Sequence, residues 1–330
     1  MNTLRSSVFT KPQTVSQERS LLRRIVRLLV LLIASLPILV AVAWGYDTYA
    51  SARVTALYPP PGQFVQVGDA KMHYICEGTG EPTLVLVAGI PGGALNWTPV
   101  MPGLADHHRV CAFDRLGQDW SDPAPHPRTF TTAVDELHSA LQELGIVRPV
   151  VVGHSFGGAL VQAYAAKYDV AGVVLVDGVT TGVVDEVARL LGSNKKWDGL
   201  ARLGVMRPML KVLTKDPGYT PNIEKEMVAL RSRSSAWLSM SDEGAVAQQS
   251  MAEDLRVAEQ KLDMPLLIIA AGKSNVMNLG VGAFAKAAKE LSERKPNSTY
   301  IHVPDAKHYV QAEEPQVVID AIEAWLAAVK

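Results

Sequence analysis

Five short apolar runs, each closing on a glycine or an aspartate, decide what this chain can become. They are "TLVLVAG" (Thr83 to Gly89), "RVCAFD" (Arg109 to Asp114), "PVVVG" (Pro149 to Gly153), "GVVLVDG" (Gly172 to Gly178) and "PLLIIAAG" (Pro265 to Gly272). A strand with one wet face alternates apolar and polar residues. These runs do not alternate, so both of their faces are covered. Helical patterns lie between them. "TAVDELHSALQELG" sets Val134, Leu137, Leu141 and Leu144 on one face and stops at Gly145. Strands alternating with helices give the α/β class, with a mostly parallel sheet flanked by helices. Ahead of them, "FVQVG" and "KMHYICEG" read as an antiparallel pair, and the closing "PQVVIDAIEAWLAAV" reads as an amphipathic helix.

The N-terminal segment is of another kind. "LLVLLIASLPILVAVAWGY", Leu28 to Tyr46, is nineteen residues without a charge. As a helix it spans about 28 Å, close to the thickness of a bilayer core. Arg5, Lys11, Arg19, Arg23, Arg24 and Arg27 precede it against the single Glu18. That bias holds the N-terminus on the cytoplasmic side. Trp44 and Tyr46 fall at the far interface, and Pro37 is tolerated in a membrane helix. Ala41-Val42-Ala43 resembles a cleavage site, which leaves a cleaved signal peptide as the alternative. The apolar run is long for a signal peptide, so a single-pass transmembrane helix is favoured. Everything after Tyr46 is exported on either reading, and secreted if the segment is cleaved.

The expected organisation is a basic cytoplasmic N-terminus (1–27), a transmembrane anchor (28–46), a linker (47–62) and one domain from 63 to 330. The linker contains the proline-rich "ALYPPPGQ", which is stiff. Between about 180 and 262 the strands stop and the pattern turns helical, with Met206, Met209, Met227, Met240 and Met251 inside it. Such an insertion falls between two strands and caps their ends, the methionines serving as core filler. A formal net charge of −1 over 330 residues carries no footprint for nucleic acid. Two cysteines exclude a disulfide-dense scaffold and a four-cysteine zinc site, and no metal site is expected.

"VVVGHSFGG", Val150 to Gly158, places Gly153-x-Ser155-x-Gly157 between a buried strand and the helix "GGALVQAYAAKY". A sharp turn there lifts the serine above the sheet edge, and its glycines let neighbouring backbone pass close. Serine is nucleophilic at neutral pH only beside a base. His308, in "VPDAKHYVQAEEP" between the strand "STYIHVP" and the last helix, is the histidine so placed. His302 lies within that strand, and His154 belongs to the corner itself. An oxyanion formed at Ser155 needs backbone N–H donors. Phe156, next to the serine, supplies one, and Ile90 in "VAGIPGG" is the candidate for the other.

Taken with "VCAFDRLGQDWSDP", "RTFTTAVDELHSALQELGI", "VVLVDG" and "HYVQAEEP", this corner resembles the α/β-hydrolase fold family over residues 60 to 330. It looks most like the esterase-like branch, which carries a "YDRxGxGxSD" segment. The resemblance implies a Ser–His–acid triad, an acyl-enzyme, water as acceptor, a small-molecule acyl substrate and no cofactor. The sequence departs from the family at three places. Ala88-Gly89 stands where His-Gly is frequent. Asp119 replaces the second glycine of the segment, and aspartate tolerates a left-handed backbone better than most residues. The usual place of the acid, after "PLLIIAAG", reads Gly272-Lys273-Ser274-Asn275, with no carboxylate before Glu290. Asp177, which ends "GVVLVD", is the favoured acid, at a site some relatives use. Asp305 and Asn275 are the alternatives.

The implied function is a membrane-anchored serine hydrolase of ester or related acyl bonds. In families resembling this one the same triad also serves acyltransferases and cofactor-free haloperoxidases. Haloalkane dehalogenases and epoxide hydrolases resemble the fold but carry Asp at the corner. A non-catalytic binding protein that retains the fold is an alternative of another class, supported by the missing acid after Gly272. The resemblance also sets the strands of Cys76 and Cys111 side by side. A disulfide and two buried thiols both remain open there, and an exported domain permits the bond.

Overall fold

Each apolar run becomes a strand of one eight-stranded sheet. The computed structural model describes residues 14–125, 128–213 and 218–329. The strands are β1 (Gln63–Val67), β2 (Ala70–Glu77), β3 (Leu84–Val87), β4 (Val110–Phe113), β5 (Val150–His154), β6 (Gly172–Val176), β7 (Leu266–Ala271) and β8 (Ser298–Val303). Their spatial order is β1-β2-β4-β3-β5-β6-β7-β8. The first two pairings are antiparallel and all the others parallel. Every residue of β3 to β7 is buried, as strands without alternation require.

The helices are α1 (Thr14–Leu57), α2 (Met101–Ala105), α3 (Phe130–Glu143) and α4 (Phe156–Ala165), then α5 to α10, then α11 (Ala283–Arg294), α12 (Val310–Glu313) and α13 (Pro315–Ala328). Successive side chains of a strand point to opposite faces, so the sheet carries two cores. On one face Val85, Val87, Val151, Val173 and Ile268 pack with α3, α4 and α11. On the other, Leu84, Leu86, Val152, Val174 and Ile269 pack with α2 and α13. Helix α3 starts where Thr129 accepts a hydrogen bond from the Thr132 N–H at 3.1 Å, and its chain turns away at Gly145 with φ 64°.

Between β6 and β7 the chain builds a helical cap of α5 (Val184–Gly192), α6 (Asp198–Arg202), α7 (Arg207–Leu213), α8 (Pro221–Arg231), α9 (Ser234–Val246) and α10 (Ala252–Lys261). Met206, Met227 and Met251 are buried as filler, but Met209 is exposed.

Helix α1 is longer than the expected 28–46 span. No helix breaker follows Tyr46 until Pro59, and the residue before a proline avoids the helical region. The helix therefore continues to Leu57, so 47–57 of the expected linker is helical and only 58–62 is not. Its most apolar window has a mean hydropathy of 2.8, and none of that window is buried. Of the basic residues before the apolar run, Arg5 and Lys11 lie outside the described residues.

The antiparallel register of β2 and β4 sets Cys76 directly opposite Cys111, with Cα atoms 4.1 Å apart, and the two form a disulfide. The bond joins residues 35 apart in the chain, so cross-linking the unfolded state there is worth about 3–4 kcal/mol. A Cys76→Ser/Cys111→Ser variant is expected to lose that much stability in urea unfolding. Thiol titration of the unfolded, unreduced chain should read no free thiol, and two after reduction. Two before reduction would refute the bridge.

Candidate active site

No loop separates β5 from α4: Ser155 alone makes the corner. Its backbone sits at φ 53°, ψ −122°. That conformation is rare for a residue with a side chain. Three hydrogen bonds hold it. The Ser155 N–H donates to Val176 O, and its carbonyl accepts from the N–H groups of Gly158 and Val179. The glycine after it is required by closeness, since a Cβ on Gly157 would lie 2.2 Å from Val87 O. The Ser155 side chain does not cap its own helix, and it lines a cavity of about 290 Å³ instead.

That cavity brings the expected residues together. Gly89, Ile90, Ser155, Phe156 and His308 line its polar end. Val187 and Leu191 from the cap, with Val276, Met277 and Phe284 after β7, line the rest. Asp177, one residue beyond β6, is buried behind His308. His308 Nδ1 donates to Asp177 Oδ2 at 2.7 Å, and Asp177 Oδ1 accepts from the Ala271 N–H at 3.1 Å. The alternatives point elsewhere. Asn275 Oδ1 accepts from the Gly280 N–H, and Asp305 is an exposed partner of Lys273 at 2.7 Å.

Phe156 opens α4, where first-turn N–H groups have no acceptor within the helix. Ile90 follows β3 in a loop held by a group that sequence reasoning missed. Arg115 donates through Nη1 to Ala88 O at 2.6 Å and through Nη2 to Gly89 O at 2.9 Å. The carbonyl of Gly89 and the N–H of Ile90 belong to one rigid peptide plane and point opposite ways. Holding the first therefore aims the second. Arg115 is itself held by Glu243 of cap helix α9, with Nε to Oε1 at 2.8 Å and Nη2 to Oε2 at 2.9 Å. Gln118 adds a hydrogen bond to Glu243, and Arg128 adds a charge 3.5 Å away. Burial alone would raise the Glu243 carboxyl, but Arg115 and Arg128 outweigh it and hold it below the usual carboxylate range. Arg115 stands in a segment that the sequence singles out, yet nothing near Glu243 in the chain names a partner 128 residues away.

His154 is the second residue missed as a site feature. Its Nε2 lies 2.9 Å from the His308 carbonyl, so Nε2 is the protonated nitrogen. Burial, and next the nearby His308, keep it well below its ordinary pKa and hence neutral. Its Nδ1 is a buried acceptor without a hydrogen-bond partner, on a side chain that lines the cavity. Asp119, in place of the family's glycine, adopts φ 37°, and burial lifts its carboxyl to about 6. Among the described residues no group of three His, Cys, Asp or Glu could hold a metal ion.

Comparison with known proteins agrees with this architecture. Residues 82–315 match the family model of the alpha/beta hydrolase fold. A 2-(acetamidomethylene)succinate hydrolase of Mesorhizobium japonicum is 23% identical over 278 residues, 80% of this chain and 94% of the relative. A soluble epoxide hydrolase of a Corynebacterium species is 29% identical over 286 residues, 79% of this chain and 95% of the relative. Among solved structures, an esterase of Thermogutta terrifontis superposes with a TM-score of 0.62 at 22% identity, covering 81% of this chain and 99% of its own. An epoxide hydrolase structure superposes with a TM-score of 0.66 at the same identity and coverage. With a family model spanning most of its length and the matching sheet order beneath it, the chain belongs to the α/β-hydrolase fold family.

Proposed function

We propose that this protein is a membrane-anchored serine hydrolase that cleaves an ester or related acyl bond through an acyl-enzyme. The observation that carries the reading is the hydrogen bond from His308 to Asp177 at the wall of a cavity that Ser155 shares. Ser155 Oγ attacks the substrate carbonyl carbon while His308 Nε2 takes the hydroxyl proton. The oxyanion is held by the N–H groups of Ile90 and Phe156. His308 then passes the proton to the leaving oxygen or nitrogen, and the acyl group stays on Ser155. Water attacks that ester with His308 again as base, releasing the acid and restoring the serine. Asp177 orients the ring and stabilises its charged form.

The chemistry of serine favours acyl transfer over epoxide opening, the activity named for two similar proteins. Opening an epoxide with Ser155 would leave an ether, which a histidine and a water do not cleave. An acyl ester is hydrolysed readily. The non-catalytic alternative drew on the missing acid after Gly272, and a carboxylate reaching His308 from β6 removes that support. The exposed apolar stretch of α1 supports the anchor, and the Cys76–Cys111 bond supports an exported domain.

A fluorophosphonate probe is expected to label the wild-type chain and not Ser155→Ala. Labelling that survives the substitution would end the nucleophile assignment. Asp177→Asn should lower kcat by roughly ten-thousandfold, while Asn275→Ala and Asp305→Asn change it little; the opposite ranking would move the acid. The cavity lies near the lower end of the usual range for ligand sites. Across nitrophenyl esters of increasing length, kcat/KM should therefore peak at short acyl chains, and a rise through long chains would contradict the role given to this cavity.

A further inference from the structure

This inference rests on the reading of α1 as a membrane anchor. Beyond the apolar run, one stripe of α1 is bound to the rest of the domain. Asp47 Oδ1 accepts from Arg207 Nε and Nη2 at 3.1 and 2.8 Å, and Arg207 Nη2 also reaches Ser51 Oγ at 2.6 Å. Val54 packs on Leu95, Met227 and Leu230, and Tyr58 O accepts from Trp120 Nε1 at 3.0 Å. Residues 47, 51 and 54 are spaced as one face of the helix over about 10 Å of its length, and Tyr58 follows just past its end. Asp47 is the first residue after the uncharged run. The cap segment bound to it is thus the one nearest the membrane. The contact is tight: a Cβ on Gly204 would lie 2.6 Å from Asp47 Cβ, and both Arg207 and Asp47 are buried.

The surface around that contact has an unusual make-up. Of the eleven exposed large hydrophobic side chains among the described residues after Leu57, four fall within thirteen residues here: Trp197, Leu200, Val205 and Met209. Single exposed apolar residues need no explanation, but a concentration of them does. Between Ser193 and Lys211 five residues are basic against one acid, Asp198. Arg207 is buried on Asp47 and Lys195 pairs with Asp198 and Asp242, which leaves Lys196, Arg202 and Lys211 as the exposed cations of the segment. Lys196 lies over the Trp197 ring, 5.7 Å from its centre. Apolar and aromatic side chains beside lysine and arginine are the composition of elements that lie in the lipid interface.

We propose that the segment from Ser193 to Lys211 is a second membrane contact, seated in the headgroup layer of the bilayer that α1 crosses. Its apolar side chains reach the acyl boundary, and Lys196, Arg202 and Lys211 meet anionic lipid headgroups. Continuity selects this partner: the Asp47–Arg207 pair holds the segment one residue from the end of the span. The contact is also intramolecular once α1 is inserted, so a modest area suffices. It fixes how the domain is turned about the axis of α1.

The full-length chain in vesicles of phosphatidylethanolamine and phosphatidylglycerol provides the test. Its two native cysteines are paired, so one added cysteine takes an environment-sensitive fluorophore selectively. Labels at Val205→Cys and Met209→Cys are expected to lose most of their emission to lipids spin-labelled near the headgroup. A label at Val147→Cys, exposed ahead of β5 at the sheet end away from the cap, should keep its emission. Leu36→Cys, at the middle of the span, reports the anchor itself and is read against lipids spin-labelled deep in the acyl chain. Quenching at 36 with bright labels at 205 and 209 would overturn the second contact and leave the anchor standing. A bright label at 36 would remove the anchor and this inference with it. Quenching at 147 equal to that at 205 would mean unoriented adsorption and would also overturn it.

Discussion

The backbone of Ser155 is the constraint on which the rest depends. A left-handed residue with a side chain costs on the order of 1–3 kcal/mol and persists only where its surroundings over-determine it. Here the surroundings are the sheet and the helix on either side. Fully buried β5 fixes the approach, α4 fixes the exit, and β6 supplies Val176 O to the Ser155 N–H. The same packing brings the neighbouring strand ends to one place. Gly157 lies against the end of β3, from which the Ile90 loop departs, and Asp177 ends β6. Ser155, the N–H groups of Ile90 and Phe156, and Asp177 are thus brought together by one parallel strand register.

A second level of order comes from buried charge. Arg115 satisfies two carbonyls of the Ile90 loop, and Glu243 satisfies Arg115. A buried pair of this kind adds little net stability compared with apolar packing, but losing one partner strands a charge in the interior. Its structural value lies in geometry. Bidentate Arg–carboxylate contacts admit few arrangements, so the loop that aims Ile90 is held from the core and the cap together.

Much of this was legible in the sequence because it is local. Non-alternating runs identify strands buried on both faces, and the strand–serine–helix corner identifies Ser155 from nine consecutive residues. His308 follows from its place between the last strand and the last helix. The sequence favours Asp177 over Asn275 and Asp305, and its carboxylate is the one that meets His308. The remainder depends on contacts across long stretches of chain. Nothing near Glu243 announces Arg115, and nothing near Asp47 announces Arg207, 160 residues away. The extension of α1 to Leu57 was readable from the absence of a breaker before Pro59. The proline-rich stretch drew the boundary too early. The disulfide stayed open because strand neighbourhood does not give the register that faces Cys76 with Cys111.

The Arg115–Glu243 link ties the cap to the wall of the cavity. A cap that swung open would pull Glu243 from Arg115, Gln118 and Arg128 at once. Freeing only one of these partners would leave a buried charge without its counter-ion, so Glu243 and Arg115 have to stay together or reach water together. Val187 and Leu191 of the cap line the same cavity as Ser155 and Ile90, so the ion pair that holds the Ile90 loop also fixes the roof above the serine.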